Sequence, residues 1–377
     1  MMGTRIRFDR NELAGAFGDM GTVVPLILGV VAVTGIDGGG AFIVFGLMQV
    51  ATALSYGIPM PVQPLKAVAV LVITQKLGAP VLMGGGLAIG VLMLAITLSG
   101  LIDRIGETIP KPVIRGIQAG LGIQLAMLAC REYIPSGDAS GMALAGIAGG
   151  IMILLRGNRR IPPAIPVILI GVIAGAFEYL HHGLPHQAAA AGYPLVSFPA
   201  VADIVTGLVV LAVPQIPLSL GNSIYATECM ARDLYPDKRI GRRKIALTYS
   251  LMNLAGPLMG GIPVCHGSGG MAGHHAFGAR TGGSVAICGI FFIMMGVMFG
   301  NEGTGMLALF PKTLLGVILL FESAAILDLA RDPDPDRIDI ATTMLVAFCA
   351  VMLPYGYITG MTLGMIVYYS MRMMAVI

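Results

Sequence analysis

Three prolines, Pro59, Pro61 and Pro64, interrupt an otherwise apolar region in the passage Gly57-Ile58-Pro59-Met60-Pro61-Val62-Gln63-Pro64-Leu65-Lys66-Ala67. Each removes a backbone donor and clashes with a preceding helical turn, so the passage cannot lie within one regular helix and must run extended. From Lys66 the sequence turns to Ala-Val-Ala-Val-Leu-Val-Ile, which reads as a half-helix starting just after Pro64. A helix N-terminus presents unpaired amides and a partial positive charge. With Lys66 in its first turn and Gln63 beside it, this start is a candidate anion site. The competing reading is a cytoplasmic loop whose Lys66 snorkels to an interface.

Composition decides what surrounds the passage. Hydrophobic residues make up 56% of the chain and charged residues 11%, and the mean hydropathy is +0.85, values that exclude an ordinary water-soluble domain. The chain reads as a multi-pass membrane protein, and a broken helix at membrane depth is tolerated only where it lines a protein cavity. Gly 53 of 377 fits close helix packing and interrupted helices. The five cysteines, Cys130, Cys229, Cys265, Cys288 and Cys349, are scattered without paired spacing, so neither a disulfide framework nor a thiolate metal cluster is indicated. The charged start, Met1 to Asn11, lacks the apolar core of a cleavable signal, and the first span is expected to remain in the mature protein. A net charge of +3 indicates no nucleic-acid partner.

Apolar spans are expected near 13–33, 41–57, 65–77, 82–101, 112–131, 140–156 and 162–180, then near 203–230, 243–261, 268–279, 283–300, 312–329, 338–354 and 356–373. Spans three and ten are too short to cross alone, because about 20 helical residues are needed. With the N-terminus inside, the inner segments collect Arg5, Arg7, Arg10, Arg104, Lys111, Arg115, Arg156, Arg159, Arg160, the cluster Arg232 to Lys244, Arg280, Arg331, Arg337 and Arg372. The outer segments hold only Lys76, Arg131 and Lys312. This bias predicts both termini in the cytoplasm.

The two halves resemble each other. Pro217-Leu218-Ser219-Leu220-Gly221 follows Pro25-Leu26-Ile27-Leu28-Gly29, Gly261-Ile262-Pro263 follows Gly57-Ile58-Pro59, and Pro311-Lys312 follows Pro110-Lys111, at offsets of 192, 204 and 201 residues. An odd number of spans per copy inverts the second copy in the membrane, and substrate sites then form where the broken helices of the two copies meet. The partner of the first passage is Gly261-Ile262-Pro263-Val264-Cys265-His266-Gly267-Ser268-Gly269-Gly270-Met271-Ala272-Gly273. Its glycines let backbone amides approach a ligand, Ser268 offers a hydroxyl, and His266 is either a donor or proton carrier or a buried structural histidine. The spacing of His266, His274 and His275 matches no usual metal-ligand pair.

Two polar segments sit in apolar spans: Glu12 to Thr22, and Gln215 to Glu228, where Ser219, Asn222 and Ser223 share one helix face. Carboxylates at the bilayer centre cost about 2.5–3.5 kcal/mol, so Asp19 and Glu228 are candidates for proton coupling or for pairing with a cation.

Glu12 to Pro25 (ELAGAFGDMGTVVP), Pro61 to Ala67 (PVQPLKA) and Pro263 to Thr281 (PVCHGSGGMAGHHAFGART) resemble the signature segments of the plant, fungal and prokaryotic molybdate transporter family, a distant branch of the sulfate permease superfamily. The resemblance spans both halves. It implies an all-α membrane protein of about 14 transmembrane segments in a 7+7 inverted repeat with two broken half-helix spans. It further implies a core domain from residues 1–103 and 201–305 and a gate domain from residues 104–200 and 306–377. Carried onto this sequence, the anion would sit among Gln63, Lys66, Ala67, His266, Gly267, Ser268, Gly269 and Gly270, with Ser219 and Asn222 of span eight completing the pocket.

The expected function is secondary transport of a tetrahedral oxyanion, molybdate first and sulfate or tungstate behind it, by an elevator or rocking motion. Proton coupling would run through Asp19, Glu228 or His266. A nucleobase or carboxylate carrier on the same fold is the alternative. An intramembrane enzyme would have to use Ser268 and His266, with no third orienting residue in sight. No nucleotide-binding loop and no cofactor motif occurs, so the energy source is expected to be a gradient. The expected surroundings are the lipid bilayer, with homodimerisation left open.

Overall fold

The computed structural model describes residues 6–102, 104, 108–155, 158, 163–182, 198–298, 310–331 and 334–376. In chain order the helices are α1 (Arg10–Ala16), α2 (Met20–Thr34), α3 (Gly38–Tyr56), α4 (Lys66–Gln75), α5 (Ala79–Leu98), α6 (Lys111–Leu128), α7 (Ala139–Leu154) and α8 (Ala164–His182). They continue as α9 (Val201–Leu234), α10 (Arg242–Leu258), α11 (Ser268–Ala276), α12 (Gly283–Met298), α13 (Lys312–Leu329), α14 (Arg337–Met352) and α15 (Gly356–Val376). Two short strands, β1 (Val62–Pro64) and β2 (Val264–His266), precede α4 and α11. The all-α expectation is amended by this pair, because the two proline-broken passages meet and satisfy each other's backbone.

Among the described residues, four helices are long and apolar enough to cross a bilayer: α3, α5, α9 and the unit Lys111–Ser136, in which α6 runs on through a widened turn at Ala129–Tyr133. By contrast α4 has 10 residues and α11 has 9, each about half of the ~30 Å hydrocarbon thickness at 1.5 Å per residue. Helix α9 is continuous but carries widened turns at Leu208–Ala212 and Ser219–Tyr225, on either side of Pro214 and Pro217. Proline removes an internal hydrogen bond, and the wider turns accommodate the loss.

The first expected span, 13–33, is two helices and not one. The break at Phe17-Gly18-Asp19 has a packing cause: a Cβ on Gly18 would lie 2.6 Å from the Gly273 carbonyl oxygen of α11. The chain turns there to pass against α11. Glu12, buried in α1, accepts from the amides of Arg280 (3.0 Å), Thr281 (2.8 Å) and Ser284 (2.9 Å), which ties α1 to the start of α12.

Helix α3 packs along α12, and α5 packs along α10 and the first turns of α9. At the first of these contacts Gly46 and Gly289 face each other so closely that a Cβ on either would meet the other's carbonyl oxygen at 2.5 and 2.7 Å, an approach that only small residues allow. A second group joins α6 to α13 and α14, α14 to α15, and α13 to α7. Contacts of α4 with α6, and of α2 with α13, link the two groups.

At the centre β1 and β2 run antiparallel, with Val62 opposite His266, Gln63 opposite Cys265 and Pro64 opposite Val264. The pair is closed on both outer edges by side chains. Gln49 of α3 donates to the Val62 carbonyl (2.9 Å) and accepts from its amide (2.8 Å). Asn253 of α10 does the same for Val264, at 2.6 and 2.9 Å. Both are buried, so each replaces the next strand that the sheet lacks.

Asn253→Leu should therefore leave two buried backbone groups without partners. At about 1–3 kcal/mol each, the expected loss is about 2–6 kcal/mol, read as a lower thermal midpoint in detergent. Ser250→Ala, one turn away, should change it far less.

Candidate functional site

A cavity of about 110 Å³ opens where the strand pair hands over to α4 and α11, several times the ~10–15 Å³ that one water requires. The first passage contributes Gln63, Lys66 and Ala67, and the second Cys265, Gly267, Ser268 and Gly269. Helix α9 adds Gln215, Leu218, Asn222 and Ser223. The far wall is Gln118 and Leu121 of α6 and Ile326 of α13.

The first-turn amides of a helix have no partner within it. The residues preceding the two half-helices, Leu65 and Gly267, make no side-chain cap, so both helix starts present donors beside this cavity. One of them, the Val68 amide, is taken by Gln215 Oε1 at 3.3 Å. Nothing lies within 4 Å of the position a Cβ on Gly269 would occupy, and that face of α11 is open.

Lys66 is the one cationic lining residue among the described residues. Its Nζ lies 3.2 Å from Oε1 of Glu322 on α13, with the lysine side chain 29% exposed and the glutamate 5%. Gln63 is fully engaged. Its Nε2 donates to both carboxylate oxygens of Asp19, at 2.7 and 2.8 Å, and its other amide atom lies against Gly267, where a Cβ would overlap it. Asp19 therefore stands behind Gln63 and beside Gly270, whose hypothetical Cβ would meet Asp19 Oδ2 at 2.7 Å.

Of the residues expected at the site, Gln63, Lys66, Ala67, Gly267, Ser268, Gly269 and Asn222 line the cavity, and Gly270 packs directly behind it. His266 does not reach it. Side chains alternate across a strand, so with Gln63 and Cys265 facing the cavity, His266 and Val62 face away. The His266 ring bonds through Nε2 to Thr248 Oγ1 at 2.8 Å and stands edge-on to Tyr56 at 5.3 Å. Ser268 lines the cavity and His266 does not. Ser219 is buried one layer back, between Gln215 Nε2 (3.0 Å) and the Tyr249 hydroxyl (2.6 Å). Glu228 lies beyond the cavity, where both its oxygens accept from Arg242, at 2.9 Å from the amide and 2.8 Å from Nε.

Ser223, on the helix face shared with Ser219 and Asn222, lines the cavity as that face suggested, whereas the sequence reading did not place Gln118, Gln215, Cys265 or Glu322 at the site. For Glu322 a signal existed: it is a carboxylate in the middle of an apolar span, the same anomaly that singled out Asp19 and Glu228.

With this geometry in view, comparison with known proteins gives consistent results. The family described as "Molybdate transporter of MFS superfamily" matches residues 11–125 and 207–326. Molybdate transporter 1 of Arabidopsis thaliana is 30% identical over 85% of this chain and 80% of its own length. Molybdate transporter 2 of the same plant is 29% identical over 96% of this chain and 87% of its own. Among solved structures, the transmembrane domain of a cyanobacterium bicarbonate transporter, BicA, shares the fold with a TM-score of 0.69 at 15% identity, covering 97% of this chain and 98% of that one. The murine solute carrier 26 family member A9 anion transporter, in its inward-facing state, gives 0.74 at 12% identity, covering 97% and 68%. The fold is thus that of an integral membrane transporter, and the chain belongs to the molybdate transporter family.

Proposed function

We propose that this chain is a secondary transporter of a tetrahedral oxyanion, molybdate in the first place and sulfate or tungstate as the nearest alternatives, moved by alternating access. The observation that carries the reading is the cavity itself, in which two helix starts and the single cation Lys66 converge on a small polar space. Backbone amides at helix starts and a charge-assisted lysine donor suit an oxyanion. The names of the relatives support molybdate as that anion. A nucleobase would favour stacking, and no aromatic side chain lines the cavity among the described residues.

The proposed mechanism divides the chain into a core, residues 1–103 and 201–305, and a gate, residues 104–200 and 306–377, of which the boundary near 305 falls outside the described residues. What supports the division is the cavity lining: α4, α9, α11 and the strands on one side, α6 and α13 on the other. We further read the fold as a 7+7 inverted repeat. Its support is reciprocity, since Gln49 on Val62 is answered by Asn253 on Val264, α3 on α12 by α5 on α10, and α2 on α8 by the middle of α9 on α15. The core would slide or rock past the gate carrying the anion. Both termini are placed in the cytoplasm by the distribution of basic residues, of which Arg5, Arg156, Arg159 and Arg160 lie outside the described residues. A dianion entering against an inside-negative potential costs about 2.3 kcal/mol per charge per 100 mV, which a co-transported proton would offset. Of the three candidate carriers, Asp19 is the one whose partner touches the cavity, while Glu228 and His266 are engaged elsewhere.

Lys66→Ala should weaken molybdate binding by about 10- to 100-fold, the worth of about 1.5–3 kcal/mol for a charged hydrogen bond, in titration calorimetry of folded protein. Unchanged affinity would remove Lys66 from the site. Gly269→Val should block binding while leaving the thermal midpoint near wild type, because its side chain enters open space. Gly270→Val should lower both, because it collides with Asp19, Pro61 and Gln63. In proteoliposomes, an imposed inward proton gradient should raise molybdate accumulation, and Asp19→Asn should abolish that rise. Accumulation indifferent to the gradient would leave exchange or facilitated diffusion.

A further inference from the structure

We propose that Glu322 is a built-in competitor for the substrate: its carboxylate holds Lys66 while the site is empty, and an arriving oxyanion takes its place as Glu322 accepts a proton from water. The proposal rests on reading the cavity as an oxyanion site, and it names a group on the gate side that this reading did not use.

Lys66 is the one cation at the cavity, and two carboxylates flank it, Asp19 behind Gln63 and Glu322 across on α13. A dianion added to this set would place four negative charges against one positive. Asp19 accepts two short bonds from Gln63. Glu322 has no such support: it is 5% exposed, and its Oε1 has no hydrogen-bond partner among the described residues beyond the 3.2 Å ion contact with Lys66. Once Lys66 turns to the oxyanion, Glu322 is a buried carboxylate without compensation, a state that neutralisation by a proton relieves.

Among the described residues, no cation on the elements packed against α13 is placed at Glu322; Arg131, in the turn after α6, is exposed and lies two residues before Tyr133, which meets Gly316, about 9 Å before Glu322 along α13. Helices α2 and α7 carry no charged residue. On α6 the contact with α13 is at Gly122, against Ser323 and Leu327, and Arg115 lies two turns before it, about 10 Å along the helix. In the turn after α6, Glu132 pairs with Lys76 at 2.8 Å. Helix α8, with Glu178 and His181 towards its end, meets Phe310 through Gly171, about 18 Å before Glu322 along α13. On the strand side Cys265 is the one titratable neighbour at the cavity. Ile326, one turn after Glu322 and therefore on the same face of α13, lines the cavity, so the carboxylate lies at its edge. Because the ion pair joins α4 to α13, its release on binding also unfastens one wall of the cavity from the other.

Titration calorimetry with molybdate in two buffers of different ionisation enthalpy, between about pH 6 and about pH 8, decides the matter. Wild type should take up about one proton per anion at Glu322, in addition to any taken up at Asp19, and the Glu322 proton should lower affinity by up to about tenfold per pH unit as the medium becomes more basic. Glu322→Gln, a permanent mimic of the protonated form, should take up about one proton fewer, bind on the order of tenfold tighter or more at the basic end, and have a correspondingly shallower pH slope. Wild-type binding without proton uptake overturns the proposal whether or not the variant folds. So does a folded Glu322→Gln protein that binds more weakly or keeps the wild-type slope. If wild type binds neither molybdate, sulfate nor tungstate at any pH, the oxyanion reading itself fails and this proposal falls with it.

Discussion

Everything at the centre of this protein depends on keeping two lengths of extended backbone hydrogen-bonded inside an apolar slab. An unpaired amide or carbonyl at that depth costs several kcal/mol. Here β1 and β2 pair with each other, and Gln49 and Asn253 close their outer edges. Once the strands are satisfied, α4 and α11 must begin at their ends, and two helix starts face one space. The site is thus a consequence of how the chain solves a backbone problem. The glycines at 18, 267, 270 and 273 then let α1, α2 and α11 close around it.

The second constraint is electrostatic. A cavity that attracts a dianion needs a cation, and an empty cavity cannot leave that cation uncompensated at membrane depth. Lys66 sits between the Gln63–Asp19 pair and Glu322, which resolves the empty state at the expense of making the substrate compete. The same ion pair bridges two groups of helices that otherwise touch through few elements, so charge compensation and motion are linked at one contact.

Much of this was legible in the sequence because prolines and glycines report backbone conformation directly. Pro59, Pro61 and Pro64 announced the extended passage, Lys66 the helix start, and Gly261 to Gly270 the partner. Facing was not legible. The second passage left His266 either a donor or proton carrier at the site or a buried histidine; as a strand the passage has a period of two, and that period gives the cavity to Cys265 and sends His266 to Thr248. Nor did hydropathy reveal that the first span breaks at Gly18, because the cause is a backbone contact with Gly273, far away in the chain. Glu322 was passed over, although the cost of burying a carboxylate in the apolar middle of α13 marks it out. Gln118 and Gln215 are neutral, and only their placement shows their use.

The central claim is a location. Anomalous scattering at the molybdenum edge, from crystals of the protein grown with molybdate, measures that location without reference to transport. The account predicts one strong peak within hydrogen-bonding reach of Lys66 Nζ, between the starts of α4 and α11 and in front of Gly269. A peak elsewhere, such as the basic segment around Arg242, with the cavity beside Lys66 empty, would contradict it.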